Sequence, residues 1–129
     1  MRLLLDTHIF LWFITGDDRL SQHYRKTIED ADAVYLSVVS VWEVTVKYHL
    51  GKLPLPEVPN PWLLEQREQH GIESLALDER AVSRLSDLPS HHKDPFDRLL
   101  VCQAIEKQLT LVTIDPIVER YPARLLTSA

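Results

Sequence analysis

The 129-residue chain has 14 Lys and Arg against 19 Asp and Glu, a formal net charge of −5, and this acidic balance argues against a protein that coats nucleic acid without specificity. Its 45% hydrophobic and 26% charged residues are ordinary for a globular protein and suit one domain over residues 1–129. The single cysteine excludes an internal disulfide, no apolar run approaches the ~20 residues of a membrane helix, and the N-terminus lacks a secretion signal, so we expect a cytoplasmic protein without membrane contact.

The first half of the chain alternates short apolar runs with helix signals. Residues 2–5 predict a buried parallel strand, and residues 34–36 predict the second strand. The helix that follows is rich in valine, but a strand of that length is unusual and Gly51 supplies a stop signal. The helices predicted in this half cover residues 7–14 before Gly16, residues 21–30 with Ser21 as the cap, and a segment from Ser37 or Ser40 to about residue 50.

The second half repeats this alternation after a connector at residues 52–61, which contains four prolines. The predicted elements are a helix from Pro61 to about residue 70, a strand at 72–77, a helix at 78–85, a long helix from Pro95 to about residue 108, a strand at 109–113 and a short fifth strand at 123–126. Strands and helices that alternate in this way indicate a three-layer α/β/α fold with a mostly parallel central sheet of four to five strands.

Four acidic residues lie where a predicted strand ends or on a helix that follows one. They are Asp6, Glu43, Asp97 and Asp115. Because parallel strands open their carboxyl ends at one edge of a sheet, acids far apart in the chain are able to meet in one crevice. A cluster of carboxylates there is a site for hard cations, and such sites commonly handle phosphate.

Taken singly, these acids also have structural explanations. Asp6 lies between a strand and a helix and is able to cap that helix, and Asp115 before Pro116 is able to cap a turn. Glu43 has Lys47 one turn later, which is the spacing of a common surface ion pair. The sequence leaves these explanations open for each residue.

The segment Asp94-Pro95-Phe96-Asp97-Arg98 combines a helix start with a functional candidate. Asp94 suits the N-cap, Pro95 the first helical position, and Asp97 the third, where free amides and the helix dipole favour a carboxylate. The nearly apolar run that follows predicts a buried helix, which would hold its N-terminal residues in fixed positions. We therefore interpret Asp94 as the cap and Asp97 as the functional acid.

Taken together, four converging acids require a cation. Two carboxylates ~5 Å apart repel each other by about 3 kcal/mol at an effective dielectric constant of about 20, and their pKa values rise. A divalent ion removes this repulsion, and oxygen ligands with retained waters are what Mg²⁺ or Mn²⁺ prefers. His91 and His92 are too isolated to predict a zinc site, and we interpret each cationic residue near the acids as solvated surface.

Motifs spread along the chain are similar to a known family. They are residues 4–8 with Trp12, residues 36–43, residues 47–53, residues 92–100, residues 103–104, and residues 111–115 with residues 121–122. In this order they resemble the PIN-domain nucleases, and among them the VapC-type toxins of bacterial type II toxin–antitoxin pairs. The Asp-Pro-Phe-Asp-Arg element and the helix with Trp42 and Glu43 are specific in combination, and the resemblance covers nearly the whole chain.

The resemblance implies a Mg²⁺- or Mn²⁺-dependent endoribonuclease that hydrolyses RNA with a metal-activated water and leaves 5′-phosphate and 3′-hydroxyl ends. It places the acidic site at Asp6, Glu43, Asp97 and Asp115. It also implies a homodimer or a higher toxin–antitoxin assembly, and a cognate antitoxin whose C-terminal segment blocks the site.

Within that site we expect Asp6 and Asp97 to be direct metal ligands. Glu43 either binds a second ion or orients the attacking water, and Asp115 either ligates through water or holds that water. The metal would lower the pKa of the water and stabilise the leaving oxygen.

Three further residues are candidates for contacts to the substrate: Thr7, Arg98 and Lys47. Thr7 has helix capping as its alternative, and Arg98 has a salt bridge to a neighbouring acid. The guanidinium group of Arg98 is able to bind a phosphate through two hydrogen bonds.

Aromatic residues in the chain exceed what a small core easily hides. Some of them are expected to line a groove for an antitoxin segment, with plain core packing as the alternative for each one. They are Phe10, Trp12, Phe13, Trp42 and Trp62.

Other functions fit the sequence less well. A catalytically inactive PIN-like scaffold that only binds a partner stays open, although all four acids are present. A small metal-dependent phosphatase of the haloacid-dehalogenase type needs an Asp two residues after Asp6, where the chain has His8. A phosphoacceptor receiver domain needs an acidic pair before its Asp and a Lys after a late strand, and the chain has Asp115 at that strand end instead.

Overall fold

A computed structural model describes residues 1–126, and residues 127–129 of the predicted domain lie outside the described part. Residues 1–126 contain four strands, six α-helices and two 3-10 helices. The strands are β1 (Arg2–Leu5), β2 (Ala33–Ser37), β3 (Glu73–Leu75) and β4 (Thr110–Val112). The α-helices are α1 (Thr7–Thr15), α2 (Gln22–Asp30), α3 (Val38–His49), α4 (Pro59–Gln69), α5 (Glu79–Ser83) and α6 (Pro95–Lys107).

The strands form one parallel sheet in the order β3-β2-β1-β4. Leu4 at the centre of β1 pairs with Tyr35 of β2 on one side and with Leu111 of β4 on the other. Because neighbouring strands run in the same direction, their carboxyl ends open along one edge of the sheet. The predicted α/β fold with a mostly parallel central sheet is confirmed.

Alternate residues of β1 face opposite sides of the sheet and pack against the helices on each side. Leu3 and Leu5 join one core cluster, Leu4 joins another, and all three are fully buried. Burial of each leucine stabilises the fold by about 2 kcal/mol. The first cluster includes Ile9 and Phe10 of α1, Tyr24 and Ile28 of α2, and Trp62 and Leu63 of α4, and the second includes Val101 and Ala104 of α6.

Several helices begin or end at residues that the sequence marks. Ser21 accepts a hydrogen bond from the backbone N–H of Tyr24 and caps α2. Ser37 accepts one from Val39 and caps α3, so the valine-rich segment is a helix and Ser37 rather than Ser40 starts it. Gly16 follows α1 at φ +67°, a left-handed conformation that glycine adopts without a Cβ penalty.

Some predicted elements differ from the structure. The strand predicted at residues 72–77 shortens to β3, and the helix predicted at residues 78–85 divides into α5 and a 3-10 helix at Arg84–Asp87. The helix predicted from Pro61 already begins at Pro59, although Asn60 has a non-helical conformation. Such differences concern element ends, where local signals are weakest.

The fifth strand predicted at residues 123–126 is wrong for the described chain. A single parallel bridge joins Leu111 to Leu125 instead. The N–H of Leu111 donates to the carbonyl of Arg124 at 2.8 Å, and the N–H of Leu126 donates to the carbonyl of Leu111 at 3.0 Å. The segment therefore lies along the outer side of β4 and pairs through one residue of that strand.

The aromatic residues divide between core and surface. Phe10 and Trp62 are buried, so core packing explains both residues. Neither contributes an exposed side chain to the expected groove. Trp12 and Phe13 are half-buried, and Trp42 is 54% exposed. Among the described residues, no helix combines the length and apolar character that crossing a bilayer demands.

Candidate active site

A pocket of about 410 Å³ opens at the carboxyl end of the sheet, where β1 and β4 lie side by side. The four acids predicted from the sequence all line it, and Asp94 lines it as well. The complete lining is Asp6, His8, Ile9, Trp12, Glu43, Lys47, His92, Asp94, Asp97, Ile114 and Asp115. The structure thus brings together acids that are up to 109 positions apart, from Asp6 to Asp115.

On one side of the pocket, Asp6 and Glu43 line the cavity and three further polar residues lie behind them; we call this group of five the inner wall. The three residues behind the lining are Thr7, Ser40 and Thr113. All five side chains are buried. Thr7 donates a hydrogen bond to Oε1 of Glu43 at 2.7 Å, and its Oγ1 lies 2.9 Å from Oγ of Ser40. Thr113 donates to Oδ2 of Asp6 at 2.7 Å. These contacts form two neighbouring hydrogen-bonded groups inside the core, one between α1 and α3 and one between the ends of β1 and β4.

Asp6 combines a structural task with a place in the pocket. Its Oδ1 accepts a hydrogen bond from the backbone N–H of His8 at 3.2 Å and caps α1, as one of the two interpretations predicted. Burial raises the pKa of Asp6, although the hydrogen bonds from Thr113 and from the His8 backbone oppose that rise. Each carboxylate oxygen has two lone pairs, so capping leaves acceptor capacity for a ligand.

Lys47 provides a positive charge beside the inner wall. Its Nζ lies 2.5 Å from Oε2 of Glu43 and 3.8 Å from Oδ2 of Asp94. Partial burial would lower the pKa of Lys47, but the Glu43 carboxylate, together with Asp94 and Asp97, outweighs this effect and raises it. The predicted pair of Glu43 and Lys47 is confirmed, but it lines the pocket instead of lying on the open surface.

The opposite side, which we call the outer wall, consists of His92, Asp94, Asp97 and Asp115. Oδ1 of Asp94 accepts hydrogen bonds from the backbone N–H groups of Phe96 at 2.9 Å and of Asp97 at 3.4 Å, so Asp94 caps α6 as predicted. Asp97, one turn into the helix, is left free of capping and faces the pocket. These side chains are more exposed than the inner wall, with 14% exposure for Asp97 and 32% for Asp115.

Asp115 also has two tasks. Its Oδ1 accepts a hydrogen bond from the backbone N–H of Ile117 at 2.8 Å, which stabilises the turn after β4. Its Oδ2 lies 3.2 Å from Nε2 of His92 and faces the pocket. Both interpretations made from the sequence, turn capping and membership of the acid cluster, therefore describe this residue.

His92 lies between two carboxylates of the outer wall. Its Nε2 is 3.0 Å from Oδ2 of Asp97 and 3.2 Å from Oδ2 of Asp115. Its Nδ1 accepts a hydrogen bond from the backbone N–H of Asp94, which assigns the ring proton of the neutral imidazole to Nε2. In this tautomer His92 donates to the acids and holds them in place.

The carboxyl group of Asp97 has a strongly raised pKa. Burial raises it first, and the charges of Asp6, Asp94, Glu43 and Asp115 raise it further, to about 8. The described residues place five carboxylates around the pocket and one lysine beside them. Without a further cation, the cluster therefore keeps Asp97 protonated near neutral pH.

This donor set fits a hard divalent cation. Oxygens of Asp97 and Asp115 and Nε2 of His92 all lie within 4.8 Å of one another, which is close enough to surround one ion. Since the tautomer of His92 directs its N–H towards the acids, the carboxylates are the better ligand candidates. Carboxylate oxygens without a thiolate suit Mg²⁺ or Mn²⁺ better than Zn²⁺.

Arg98 lies on α6 next to Asp97 but contacts a loop. Its guanidinium donates to the backbone carbonyl of Pro89 at 3.2 Å and to that of Leu85 at 3.2 Å. The backbone N–H of His92 donates to the hydroxyl of the buried Tyr121 at 2.8 Å. Arg98 and Tyr121 thus fix the loop that carries His92, and the predicted phosphate contact of Arg98 stays a prediction.

Two residues of the site were missed or misjudged from the sequence. His92 was interpreted as solvated surface, yet it lies between Asp97 and Asp115. Its position two residues before the cap of α6 was the available signal, because residues just ahead of a helix N-terminus lie close to its first turn. Thr113, which supports Asp6, had no signal beyond its position at the end of the last strand.

Comparison with known proteins gives the following relatives. The sequence model of the PIN domain family matches residues 3–123. Ribonuclease VapC22 of Mycobacterium tuberculosis is 30% identical over 114 residues, which are 88% of this chain and 86% of that protein.

Solved structures share the fold. VapBC2 from Rickettsia felis, bound to a DNA fragment from its promoter, superposes with a TM-score of 0.72 at 18% identity and covers 98% of each chain. A toxin–antitoxin complex from Klebsiella pneumoniae superposes with a TM-score of 0.64 at 16% identity, covering 97% of this chain and 96% of that one. At these identities the structures demonstrate a shared fold.

Proposed function

The chain belongs to the PIN domain family, and from this premise we propose that it is a metal-dependent endoribonuclease that acts as the toxin of a type II toxin–antitoxin pair. The observation that carries the proposal is the meeting of Asp6, Glu43, Asp97 and Asp115 in one pocket at the carboxyl end of the sheet. The similarity to a VapC ribonuclease over 88% of the chain supports the same function.

The carboxylates divide the work of holding a divalent ion. Asp6 and Asp97, from opposite walls, would be direct ligands, while Glu43 and Asp115 would hold a second ion or the attacking water. When bound, Mg²⁺ or Mn²⁺ would lower the pKa of water, polarise a phosphoryl oxygen and stabilise the leaving oxygen. The charge of a bound ion would offset the neighbouring carboxylates that raise the pKa of Asp97 and would favour its ionised form.

The proposed reaction is hydrolysis of an RNA phosphodiester. Water attacks phosphorus in line with the leaving 3′-oxygen, the bond from phosphorus to that oxygen breaks, and the products are a 5′-phosphate and a 3′-hydroxyl. Glu43 is fixed by Thr7 and Lys47, so its carboxylate is held in a position to orient the water. We place the reaction in the cytoplasm, where the buried, unpaired Cys102 meets a reducing environment.

A cognate antitoxin is the proposed protein partner. The fold is shared with VapBC2 and with a toxin–antitoxin complex, which supports this assignment. Five carboxylates around one pocket make it strongly acidic, so we expect the antitoxin segment that covers it to carry a basic side chain. Higher assemblies would follow from two such pairs joining.

A homodimer is the second proposed assembly. Trp42 on α3 is 54% exposed and packs edge-to-face on Phe96 of α6, with 4.8 Å between the ring centroids. Val38, one turn earlier on α3, is 40% exposed, so these residues form an apolar surface patch next to the pocket. The substitution Trp42→Glu should yield a monomer in light scattering, whereas Leu64→Glu, at another exposed apolar residue on α4, should leave the dimer intact.

The nuclease activity is tested with purified, partner-free protein and total RNA. We expect cleavage in Mg²⁺ or Mn²⁺, none in chelator, and 5′-phosphate ends when the products are mapped. Asp97→Asn is the inactive control. Release of phosphate from small phosphomonoesters without RNA cleavage would instead identify a phosphatase, and binding of neither Mn²⁺ nor RNA would identify an inactive scaffold.

A further inference from the structure

Beside the acid pocket lies a second hollow of about 260 Å³, which we call the side hollow. It is lined by residues of α1, by the segment after α1 and by the proline-rich connector. The residues used below are His8, Trp12 and Arg19, and the connector contributes Leu53, Pro54, Leu55 and Pro56. His8 and Trp12 line both the acid pocket and the side hollow, so they form the ridge that separates the two.

The rings of this ridge are arranged as a stack. His8 and Trp12 lie one helical turn apart on α1, and their rings are 6.0 Å apart between centroids with an interplanar angle of 19°. The guanidinium carbon of Arg19 lies 5.0 Å from the centroid of the Trp12 ring. Asp17 fixes that guanidinium through a hydrogen bond of 2.7 Å from Nη2 to Oδ2.

The ridge is accessible to solvent. The His8 side chain is exposed and the Trp12 side chain is half-buried. An imidazole, an indole and a guanidinium all have flat faces that stack on nucleobases. Core packing explains the buried part of Trp12, which contacts the first core cluster, but it does not explain the exposed histidine beside it.

From this geometry, and resting on the proposed nuclease function, we propose that the His8–Trp12 ridge is a stacking platform for an unpaired base of the RNA substrate. The scissile phosphate lies among the carboxylates, and the base of a flanking nucleotide stacks on the ridge and reaches towards the side hollow. The platform requires an unpaired base, because both faces of a base inside a duplex are already covered by its neighbours.

The charge distribution favours stacking as the source of affinity. The chain has a net charge of −5, and two cations that line the pocket and the side hollow are paired with acids: Lys47 with Glu43, and Arg19 with Asp17. Binding that depends on many phosphate contacts needs free cations. A base stacked on an aromatic side chain contributes affinity without them, and it does so for any base because each has a flat face.

The test compares an intact oligoribonucleotide that contains a mapped cleavage site with versions that lack the base at one position flanking the cut. We expect His8→Ala and Trp12→Leu to raise KM for the intact RNA by about 5-fold to 100-fold, with a smaller change in kcat. For the RNA that lacks the stacked base, the same substitutions should have little effect. Trp12→Phe should have a KM close to that of wild type, because phenylalanine also stacks on a base.

A binding measurement separates this proposal from the nuclease proposal. An oligonucleotide with 2-aminopurine at the flanking position should lose fluorescence on binding to wild-type protein and to Asp97→Asn, but not to Trp12→Leu. Annealing the oligonucleotide to its complement should abolish that loss. If wild-type protein quenches the probe yet cleaves no RNA, the platform stands and the nuclease proposal fails.

The matched control is the Tyr48 and His49 pair at the end of α3, whose rings are 5.4 Å apart in an edge-to-face arrangement. Tyr48→Ala with His49→Ala should leave KM unchanged, and melting temperatures should show that every variant is folded. Equal losses on intact RNA and RNA lacking the base would overturn the platform. So would a Trp12→Leu protein that cleaves RNA normally and loses only its affinity for a co-purified protein partner, since the ridge would then be a protein-binding surface.

Discussion

The inner and outer walls of the pocket contribute similar acids but are built in different ways. Asp6 and Glu43 of the inner wall are almost fully buried, and each accepts a hydrogen bond from a threonine. Asp97 and Asp115 of the outer wall stand at a helix start and a turn, are partly exposed, and share His92 as a donor. The inner wall is thus part of the core, and the outer wall is assembled from its edges.

The two walls also differ in how the charge of each acid is compensated. Glu43 is compensated by Lys47, whereas Asp97 receives only a shared hydrogen bond from a histidine and carries a pKa of about 8. Asp6 on the inner wall also has a raised pKa, but its main cause is burial, whereas the charges of four neighbouring carboxylates add to the effect of burial on Asp97. The largest of these charge effects comes from Asp6, so an ion bound between the walls would offset repulsion between the two walls.

The largest expected effect is on catalysis, where the two walls should act as one unit. Asp6→Asn and Asp97→Asn should each lower the rate of RNA cleavage by more than about 100-fold, and the double variant should be no worse than either single one. Asp78→Asn, at an acid that caps α5 and pairs with Lys107, should cleave at the wild-type rate. Additive losses in initial-rate assays would show that the walls contribute separately.

The next effect is the dependence of stability on pH in metal-free protein. The folded state holds the proton of Asp97 up to a pKa of about 8, whereas an unfolded chain releases it near pH 4, so this group destabilises the fold increasingly as pH rises from about 4 to 8. Asp97→Asn should match wild type near pH 4 and exceed its unfolding free energy near pH 8, by at most about 5 kcal/mol for a shift of this size. Urea denaturation in chelator measures the difference, and a constant gap across this range would contradict the assignment.

A neutral substitution on the inner wall should change the free energy of unfolding in the opposite direction. Glu43→Gln removes the partner of the half-buried Lys47 and should destabilise metal-free protein by about 1–3 kcal/mol at pH 8. Asp97→Asn under the same conditions is the comparison, since it should stabilise. If both substitutions stabilise the protein, Lys47 does not compensate Glu43 as the geometry indicates.

The smallest effect concerns the threonine that supports Glu43. Thr7→Val removes a hydrogen bond inside the buried network and should cost about 1–2 kcal/mol of stability and about 10-fold in cleavage rate. Thr45→Val is the matched control, because Thr45 donates only to the carbonyl of Val41 in its own helix. Similar cleavage rates for the two variants would mean that Thr7 does not position Glu43.

The sequence predicted the inner wall better than the outer wall for a physical reason. Asp6 follows an apolar run, and Glu43 lies on a helix that starts at Ser37 or Ser40 and stops at Gly51, so their elements and approximate positions followed from periodicity and capping. The order of strands then places the end of β1 beside that of β4, next to Asp115. Asp97 was identified through the capping role of Asp94.

What the sequence could not supply is the conformation of irregular segments. His92 lies in a loop whose shape depends on Arg98 and Tyr121, and such tertiary contacts leave no periodic signal. The sequence neighbours of Arg98 suggested a phosphate or an acid as its partner. Its guanidinium instead donates to backbone carbonyls, which the sequence could not predict. The stacking of His8 on Trp12 follows from helical spacing, but its position between two hollows does not.

The pairing of Leu111 with Leu125 has a consequence for self-association. A strand at the border of a sheet offers unpaired backbone groups to other chains, which invites aggregation. Residues 124–126 occupy these groups on β4 through two hydrogen bonds, and β3 at the opposite border is only three residues long. Extension of the sheet from one molecule to the next is thereby disfavoured at both borders, which leaves side-chain surfaces as the means by which two copies meet.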